Sequence, residues 1–385
     1  MKAREILKEL VAFKTESAPA TNYVECAEYI AESLRKIGFE TEIIDGGGGE
    51  KPKPNVLAQK NVGIGNTVLY AAHYDVVPPG DGWDSDPWIL TERDGKLYGR
   101  GSSDDKGAIA AFLSAMDEFS PKIGVKAIFT CDEEIGGVDG LGYVAKNRSE
   151  WLAQSAMAWI ADSSNELIGI GSSGVLGGKI VVRGRGGHAG YPFRADNAVH
   201  RLFELMTELR KYSNIHEQKK SSAASPPGSP FPNIWGRFSI TMLSAGVKTN
   251  VIPETAEACF DLRFLPETKR TDAESEFTRF FKECLVKTDV KADMNFTYGH
   301  EGYLQPVIPR IEKFNDRISS HFGELGFAAE LGGNDGPFLF NLGIPTVAFG
   351  AIDRDANFHT PNEFMRLESL DKMTTAIGEV YSKGI

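Results

Sequence analysis

Short apolar runs that alternate with helical patterns constrain the first part of this chain to a layered α/β arrangement. The runs 68–77, 126–134 and 156–162 are bounded by turn or polar residues, and we expect their apolar parts to be buried strands. Between the first two, apolar residues recur at helical spacing over 106–119. A helix that joins two such strands forms a crossover unit, so the sequence predicts a mostly parallel sheet flanked by helices.

The middle of the chain changes to the order β-α-β-β-α-β. This is the order of the ferredoxin-like split unit, so a small α+β domain inserted into the larger one is the simplest account. The predicted domains are a discontinuous main domain over 1–174 and 295–385 and an insert over 175–294. Within the insert, the Ser- and Pro-rich segment 216–233 is predicted to be a mobile surface loop.

Charge and cysteine content exclude several classes of partner. The 385 residues include 53 Asp and Glu against 42 Lys and Arg, a net charge of −11. Nucleic acids and anionic membranes attract basic surfaces, so neither is expected as a partner, and no apolar stretch is long enough to cross a bilayer. Four dispersed cysteines argue against a disulfide framework and a thiolate zinc site. With no signal-peptide pattern at its start, the chain is predicted to be cytoplasmic.

His73 and Asp75 follow the apolar part of the first predicted strand. Residues two apart on a strand point to the same side, so the imidazole and the carboxylate can contact each other. A metal-binding histidine usually has a carboxylate or carbonyl on its second ring nitrogen, which fixes its tautomer. On this spacing alone, a half-exposed histidine beside a solvated aspartate is the better interpretation.

Two acidic clusters follow other parts of the predicted sheet. Asp104 and Asp105 stand in a glycine-rich turn before a helix, where one can stabilise the helix N-terminus and the other is a candidate metal ligand. Asp132, Glu133 and Glu134 directly follow a buried strand, where adjacent carboxylates repel one another unless solvent or a cation absorbs their charge. An acidic surface turn explains this second segment equally well.

Asp162 and His359 each follow a further apolar run. In a doubly wound sheet the carboxyl ends of the strands share one edge, so all five segments are expected to meet there. Two histidines and three carboxylates match the nitrogen and oxygen ligands of zinc. Their number suits two ions about 3.5–4 Å apart that share a bridging carboxylate. The sequence therefore predicts a two-metal site.

Other motifs are weaker. The segments 169–174 and 184–189 satisfy the loose pattern G-x-G-x-x-G/A, but both lead into strand-like sequence, so a nicotinamide site is rejected. The chain has no G-x-x-x-x-G-K-[ST] motif for a nucleotide and no G-x-S-x-G motif for a serine hydrolase. Cys131 is conceivable as a thiol nucleophile, but a core position explains it better.

The chain contains, in order, the motifs HYDVVPPGDGWDSDPW, YGRGSSDDKGA, TCDEEIGG, GRGGHAGYP, TNVIPE, DLRFLP, GGNDG and FHTPNE. They resemble the dinuclear zinc amidohydrolases, the family of succinyl-diaminopimelate desuccinylase, acetylornithine deacetylase, aminoacylase, carboxypeptidase G and related di- and tripeptidases. The resemblance extends from about residue 5 to residue 380. It implies a zinc-exopeptidase-like α/β catalytic domain, an inserted domain that serves as lid and dimerisation surface, a homodimer, and two Zn²⁺ ions or Co²⁺ or Mn²⁺ in their place.

The resemblance also implies roles for individual residues. The positions similar to the metal ligands of the family are His73, Asp104, Glu134, Asp162 and His359. Asp104 resembles the bridging carboxylate, Asp75 the residue that orients His73, and Glu133 the general base. Asp105 is then left as the helix-start residue. The implied reaction is hydrolysis of an amide bond by a metal-bound water that Glu133 activates.

The insert supplies further candidates through the same resemblance. His188 resembles a histidine that reaches the partner subunit's active site and stabilises an oxyanion; without the resemblance it would be a surface-turn histidine. Asn250 and Arg263 resemble residues that hold a substrate carboxylate, whereas Arg263 could instead pair with a neighbouring acid. The same carboxylate is expected to contact a backbone rich in glycine, which permits close approach, at Gly332, Gly333 and Asn334.

The substrate stays open between an N-acyl amino acid and a short peptide. Asp162 occupies a position where desuccinylases, deacetylases and carboxypeptidases of the family more often have Glu, and dipeptidases and aminopeptidases have Asp. The GGNDG segment also lacks the Thr and Ser of true desuccinylases. The alternative is a biosynthetic N-succinyl-diaminopimelate desuccinylase or N-acetylornithine or N-acetyllysine deacetylase. A non-catalytic zinc-binding homologue and a metal-independent Cys or Ser hydrolase are more remote, since Glu133 and every ligand are present.

Overall fold

The computed structural model describes residues 2–47, 51–63 and 66–385. Within them the helices are α1 Ala3–Ala12, α2 Tyr23–Lys36, α3 Lys106–Glu118, α4 Leu141–Asn147, α5 Ser149–Ala153, α6 Ala198–Glu217, α7 Arg270–Thr288, α8 Pro309–Phe322, α9 Gly336–Phe340 and α10 Leu367–Lys383. Two short 3₁₀ turns lie at Glu133–Ile135 and Pro192–Arg194.

The strands of the described residues are β1 Glu40–Asp45, β2 Pro54–Lys60, β3 Val68–His73, β4 Thr91–Arg93, β5 Lys96–Tyr98, β6 Val125–Thr130, β7 Met157–Ile160, β8 Leu167–Ser172, β9 Gly174–Arg183, β10 Gly187–His188, β11 Lys220–Ala224, β12 Asn233–Trp235, β13 Arg237–Ala245, β14 Val251–Ile252, β15 Thr255–Phe264, β16 Ala292–His300, β17 Tyr303–Leu304, β18 Gly326–Glu330, β19 Thr346–Ala348 and β20 Phe364–Arg366.

These elements form two compact units. Unit 1 comprises Met1–Gly171, Gln305–Ala328 and Asn334–Ile385. Unit 2 comprises Ser172–Leu304 and Ala329–Gly333. None of the helices in the described parts of the chain combines the length and the apolar character needed to span a membrane.

The large sheet of unit 1 has the strand order β1-β2-β6-β3-β7-β19-β8. The four central strands run parallel, because β6 pairs with β3, β3 with β7, and β7 with β19 in that sense. The outer pairs β1-β2, β2-β6 and β19-β8 are antiparallel. The α/β class with helices around a central sheet is confirmed, but the sheet is mixed. The short connection between β1 and β2 permits antiparallel pairing, which the apolar runs of the centre did not reveal.

Two cores cover the two faces of this sheet. Successive residues of β3 point to opposite faces, so Val68 and Tyr70 belong to one core and Leu69 and Ala71 to the other. The first core also contains residues of α1, α2, α3, α8 and α10, and the second contains residues of α4, α5 and α9. Every residue of β3 and β6 is buried. Burial on both faces explains the continuous apolar runs in the sequence.

Unit 2 has a four-stranded antiparallel sheet in the order β13-β15-β9-β16. Along the chain its main elements follow the predicted order, β9-α6-β13-β15-α7-β16. Buried residues of α6 and α7 form one core with inward-facing residues of the sheet, and β15 alternates between buried and less buried positions. This alternation is typical of a sheet with one covered face.

The segment 216–233, which was predicted to be a mobile surface loop, contains regular structure. It contains β11, which pairs with β12. The Ser221 hydroxyl lies 2.6 Å from a carboxylate oxygen of Glu267, and Ala223 and Ile234 pack in a small cluster with Ala329. Contacts with distant parts of unit 2 therefore stabilise a hairpin that local composition does not favour.

Candidate metal centre

The predicted ligand residues follow the strands of unit 1 as the sequence analysis expected. His73 is the last residue of β3, Glu133 and Glu134 lie in the 3₁₀ turn after β6, and Asp162 follows β7. These three strands are parallel neighbours, so their carboxyl ends lie at one edge of the sheet. Two further predicted ligands come from connecting segments, Asp104 before α3 and His359 before β20.

The side chains form two groups, each compact enough to hold a metal ion. One group is His73, Glu133 and Asp162, and the other is Asp104, Glu134 and His359. In each group one ligand atom of every residue lies within 4.8 Å of the others. The division was not evident from the sequence, which placed Glu133 outside the ligand set.

Asp104 connects the two groups. Its Oδ1 lies 3.1 Å from Nε2 of His73, and its Oδ2 lies 3.0 Å from Nε2 of His359. Nε2 of His359 also lies 3.0 Å from Oε2 of Glu134. A carboxylate with one oxygen directed to each group has the arrangement required of a bridging ligand.

The charges at the site fit divalent cations. Burial raises the pKa of Glu133 well above its ordinary value, and the nearby Asp162 raises it further. Burial also raises the pKa of Glu134, with Asp104 acting in the same direction. Carboxylates that are partly or fully buried and lie so close together are unfavourable as a set of uncompensated anions. The donor set of imidazole nitrogens and carboxylate oxygens is the one that zinc accepts, so the residues fit the implied metal.

The histidines respond to the same charges in the opposite direction. Burial lowers the pKa of His73, but hydrogen bonds to Asp104 and Asp75 outweigh burial and hold the pKa well above the ordinary value. Hydrogen bonds with Asp104 and Glu134 raise the pKa of His359 to about 10, against a smaller effect of burial. The acidic surroundings thus favour a cation at the imidazole positions, whether a proton or a metal ion.

Asp75 has more partners than predicted. Nδ1 of His73 lies 3.0 Å from the carbonyl oxygen of Asp75 and 3.5 Å from its Oδ1. The carboxylate also accepts the backbone N–H of Glu133 at 3.2 Å and that of Glu134 at 3.3 Å. Asp75 is fully buried, so it can orient both the histidine and the acidic turn.

Asp105 differs from its predicted capping function. It stands immediately before α3, but its side chain makes no capping hydrogen bond. The carboxyl is 1% exposed, and burial raises its pKa well above the ordinary value. The helix instead begins with Ala108 N–H donating to the backbone carbonyl of Asp105.

Unit 2 carries most of the other predicted residues. His188 is exposed on β10, which pairs with β14, and the N–H of Ala189 donates to the carbonyl of Asn250. These contacts make His188 and Asn250 neighbours. The Nδ1 of His188 accepts the N–H of Gly190 at 3.0 Å, so Nε2 is the nitrogen that carries the proton in the neutral ring.

Arg263 forms an ion pair with Asp261, an acid of the same strand. Its Nε and Nη2 donate to the two carboxylate oxygens of Asp261 at 2.9 and 3.1 Å, and Tyr298 donates to the same carboxylate at 3.0 Å. This is the pairing that the sequence analysis kept as the alternative to a substrate carboxylate.

The glycine-rich segment is open. A Cβ atom placed on Gly332 or Gly333 would meet no heavy atom within 4 Å among the described residues. Asn334, in unit 1, is buried, and its side-chain oxygen accepts the N–H of Gly336 at 2.9 Å. The predicted contact of this segment with a substrate carboxylate stays a prediction.

Two buried acids of unit 1, Asp335 and Glu363, were not among the predicted site residues. Burial raises the pKa of Asp335 to about 7, and Asp75 adds to the rise. Glu363 is buried beside the segment that carries Asp104. Both lie inside motifs that carried the resemblance, GGNDG and FHTPNE, and their place beside predicted site residues in those motifs is the signal that could have identified them.

Comparison with known proteins decides the family. The sequence profile of Peptidase family M20/M25/M40 matches residues 69–383. The chain belongs to this peptidase family. It is 33% identical over 385 aligned residues to succinyl-diaminopimelate desuccinylase of Bordetella pertussis (strain Tohama I), covering 95% of this chain and 93% of that protein. As a member of Peptidase family M20/M25/M40, the chain is a hydrolase of amide bonds.

Solved structures agree with the M20 fold. An M20 family metallo-carboxypeptidase, Sso-CP2 from Sulfolobus solfataricus, superposes with a TM-score of 0.82 at 18% identity over 98% of both chains. Human carnosine dipeptidase 1 gives a TM-score of 0.78 at 21% identity, over 98% of this chain and 96% of that one. At these identities the similarity is one of fold.

Proposed function

We propose that this chain is a dizinc hydrolase that cleaves the amide bond of an N-acyl amino acid or a short peptide. The observation that carries the proposal is the position of Asp104 between His73 and His359. One of its carboxylate oxygens lies 3.1 Å from the His73 imidazole, and the other lies 3.0 Å from the His359 imidazole. A single carboxylate shared between two ligand groups is typical of two-metal hydrolytic sites.

In the proposed enzyme His73 and Asp162 hold one ion, Glu134 and His359 hold the other, and Asp104 is shared. When bound, the ions act as Lewis acids that polarise the amide carbonyl and lower the pKa of water. Zinc is the proposed metal because the ligands are imidazoles and carboxylates, and Co²⁺ or Mn²⁺ accept the same donors.

Glu133 is the proposed general base. It accepts a proton from the water whose oxygen forms the new bond to the carbonyl carbon. As the C–N bond breaks, Glu133 returns that proton to the leaving nitrogen, which departs as an amine. The backbone of Glu133 donates to Asp75, so the carboxylate that orients His73 also supports the base.

Two substrate classes have specific support. The desuccinylase of Bordetella pertussis, at 33% identity, favours an N-succinyl amino acid. Asp162, in place of the glutamate more frequent among desuccinylases, favours a dipeptide. In either case the substrate is a small molecule with a free carboxylate. The proposed contacts are Asn250 and the backbone of 332–334, and Arg263 would have to exchange its pairing with Asp261 to join them.

A homodimer is the proposed assembly, with His188 contributing to the partner subunit's site. Supporting features are the edge position of β13 in the unit 2 sheet and exposed apolar side chains, Met242 and Leu243 of β13 and Phe203 of α6. A cavity of about 350 Å³ lies between α6 and β13, with Phe203, Met206 and Leu243 in its lining. An open strand edge with apolar neighbours is a common site of pairing with a second copy.

The proposed location is the cytoplasm. All four cysteines are free, which suits a reducing compartment.

Chelation tests the proposed function. The purified protein is treated with a strong chelator, and hydrolysis of N-succinyl, N-acetyl and dipeptide substrates is measured before and after addition of Zn²⁺, Co²⁺ or Mn²⁺. We expect activity to disappear on chelation and to return with metal. Hydrolysis that survives complete metal removal would contradict the dizinc mechanism and favour a cysteine or serine hydrolase. The ratio of kcat/KM values over the panel decides between the two substrate classes.

A further inference from the structure

Two loops of unit 1 supply two of the three residues of the second ligand group, and Glu134 comes from the 3₁₀ turn after β6. The loop 99–105 carries Asp104 and the loop 357–363 carries His359. Both loops contain a residue with a positive φ angle. Gly101 has φ +79°, where a Cβ would approach Val76 to 2.6 Å, and His359 itself has φ +60°. A non-glycine residue in this left-handed region needs support from its surroundings.

The carboxylate of Glu363 lies between these loops. Its Oε2 accepts the N–H of Gly101 at 3.0 Å, and its Oε1 accepts the N–H groups of Ser103 at 2.9 Å and Asp104 at 3.1 Å. The backbone carbonyl of Glu363 also accepts the N–H of Gly99 at 3.1 Å. One residue of the second loop thus binds four backbone donors of the first.

Arg100 completes the connection in the opposite direction. Its Nη1 donates to Oε2 of Glu363, and its Nη2 lies 3.3 Å from the carbonyl of Thr360, the residue after His359. Nη2 also lies 3.4 Å from the carbonyl of Pro79. Arg100 and Glu363 are each only 1% exposed, so neither charge can exchange its partner for water.

We propose that Glu363 and Arg100 are positioning residues that set the distance between Asp104 and His359, and thereby the affinity of the ion these two ligands hold. The inference rests on the proposed two-metal function. Loss of the Glu363 carboxylate removes the acceptor from three amides next to a ligand and leaves the Arg100 charge buried without its counterion. Without this support, we expect Oδ2 of Asp104 and Nε2 of His359 to lose their present separation of 3.0 Å.

Zinc binding by the folded chain tests this inference. Metal-free wild type, Glu363→Ala and Glu363→Gln proteins are titrated with Zn²⁺ against a chromophoric chelator, and bound zinc is counted by mass spectrometry after gel filtration. We expect wild type to bind two ions. In Glu363→Ala, the affinity for the ion held by Asp104 and His359 is expected to be about 10- to 100-fold lower than in wild type, the range found for residues that orient metal ligands. Glu363→Gln retains a side-chain carbonyl oxygen that can accept the backbone N–H groups. Its zinc affinity is therefore expected to lie between those of wild type and Glu363→Ala.

A matched control separates positioning from general stability. Lys126 is also a fully buried charge of unit 1, and its Nζ contacts the carbonyl of Trp151 and the side chain of Gln154. Lys126→Met is expected to change the melting temperature and leave both zinc affinities unchanged. Circular dichroism of the metal-free proteins verifies folding at the titration temperature. If Glu363→Ala is unfolded there, Glu363→Gln provides the comparison.

The outcomes are distinguishable. If folded Glu363 variants bind two ions with wild-type affinity, or if Lys126→Met weakens zinc as much as they do, the positioning role is wrong. If wild type itself binds no zinc, the proposed dizinc function fails, whatever the variants do. Weaker zinc binding confined to the Glu363 variants, graded from Gln to Ala, supports the inference.

Discussion

The carboxylate of Asp75 accepts the backbone N–H of Glu133 at 3.2 Å. The same carboxylate lies 3.5 Å from Nδ1 of His73, so one buried acid contacts both the imidazole of a candidate ligand and the backbone of the candidate base. Such a residue can couple the position of the metal to the position of the group that moves the proton.

Asp75→Asn is expected to weaken zinc binding about 10- to 100-fold. The two oxygens of Asp75 accept different amides, and an asparagine must present an NH₂ group to one of them, where two donors face each other. Zinc titration of the metal-free protein measures the effect. Glu267→Gln is the control, because that carboxylate also accepts a backbone N–H, from Ser222 in unit 2. Equal zinc affinities in wild type and Asp75→Asn would refute the orienting role.

Glu133→Gln is expected to keep two bound ions and to lower kcat by about 10²- to 10⁴-fold, the usual contribution of a general base. Glutamine cannot accept the proton of the attacking water. Metal content by mass spectrometry and steady-state kinetics on the best substrate of the panel measure the two effects. Glu134→Gln is the comparison and is expected to lose zinc. Near-normal turnover of Glu133→Gln would show that another group accepts the proton.

A mixture of His188→Ala and Glu133→Gln proteins is expected to recover part of the activity that each variant lacks. If His188 acts in the partner subunit's site, a mixed dimer contains one site with both native residues. Activity is measured after the subunits have been allowed to exchange, which is verified with a mass-tagged copy. Exchange without recovery would place the action of His188 within its own chain.

His216 is expected to make unit 2 less stable at acidic pH. Burial lowers the pKa of its imidazole, against a smaller opposing effect of the Arg263 carbonyl, which lies 3.0 Å from Nε2. The pKa in the unfolded chain is about 6.5. Above that pH the contribution to stability is fully present, and it is lost as pH falls below it, because the unfolded chain then binds the proton more readily.

Melting temperatures at about pH 7.5 and pH 5.5 test this dependence. The difference between the two values should shrink in His216→Gln and stay unchanged in His200→Gln, a variant of an exposed histidine on the same helix. An undiminished difference in His216→Gln would assign the acid sensitivity to other groups.

Local patterns predicted much of the fold. The helical spacing over 106–119 matches α3, Lys106–Glu118. The apolar runs contain β3 and β7, and they contain β6 except for its first residue, Val125. The three strands could be predicted because a strand buried on both faces is a continuous apolar run, without polar residues at alternate positions. The antiparallel pairs at the sheet edges and the β11-β12 hairpin were not readable, because pairing sense and hairpin stability depend on partners elsewhere in the chain.

The candidate site divides in the same way. The sequence by itself determined which residue types stand at the strand ends, and the shared edge of parallel strands made His73, Glu133 and Asp162 neighbours. Only the tertiary structure decided that the oxygens of Asp104 face two different histidines, and that Glu363 binds the N–H of Ser103 from 260 residues away. The physical reason is the separation of the residues along the sequence. Periodicity and strand direction are local properties, whereas a contact between distant loops forms only once the core between them has packed.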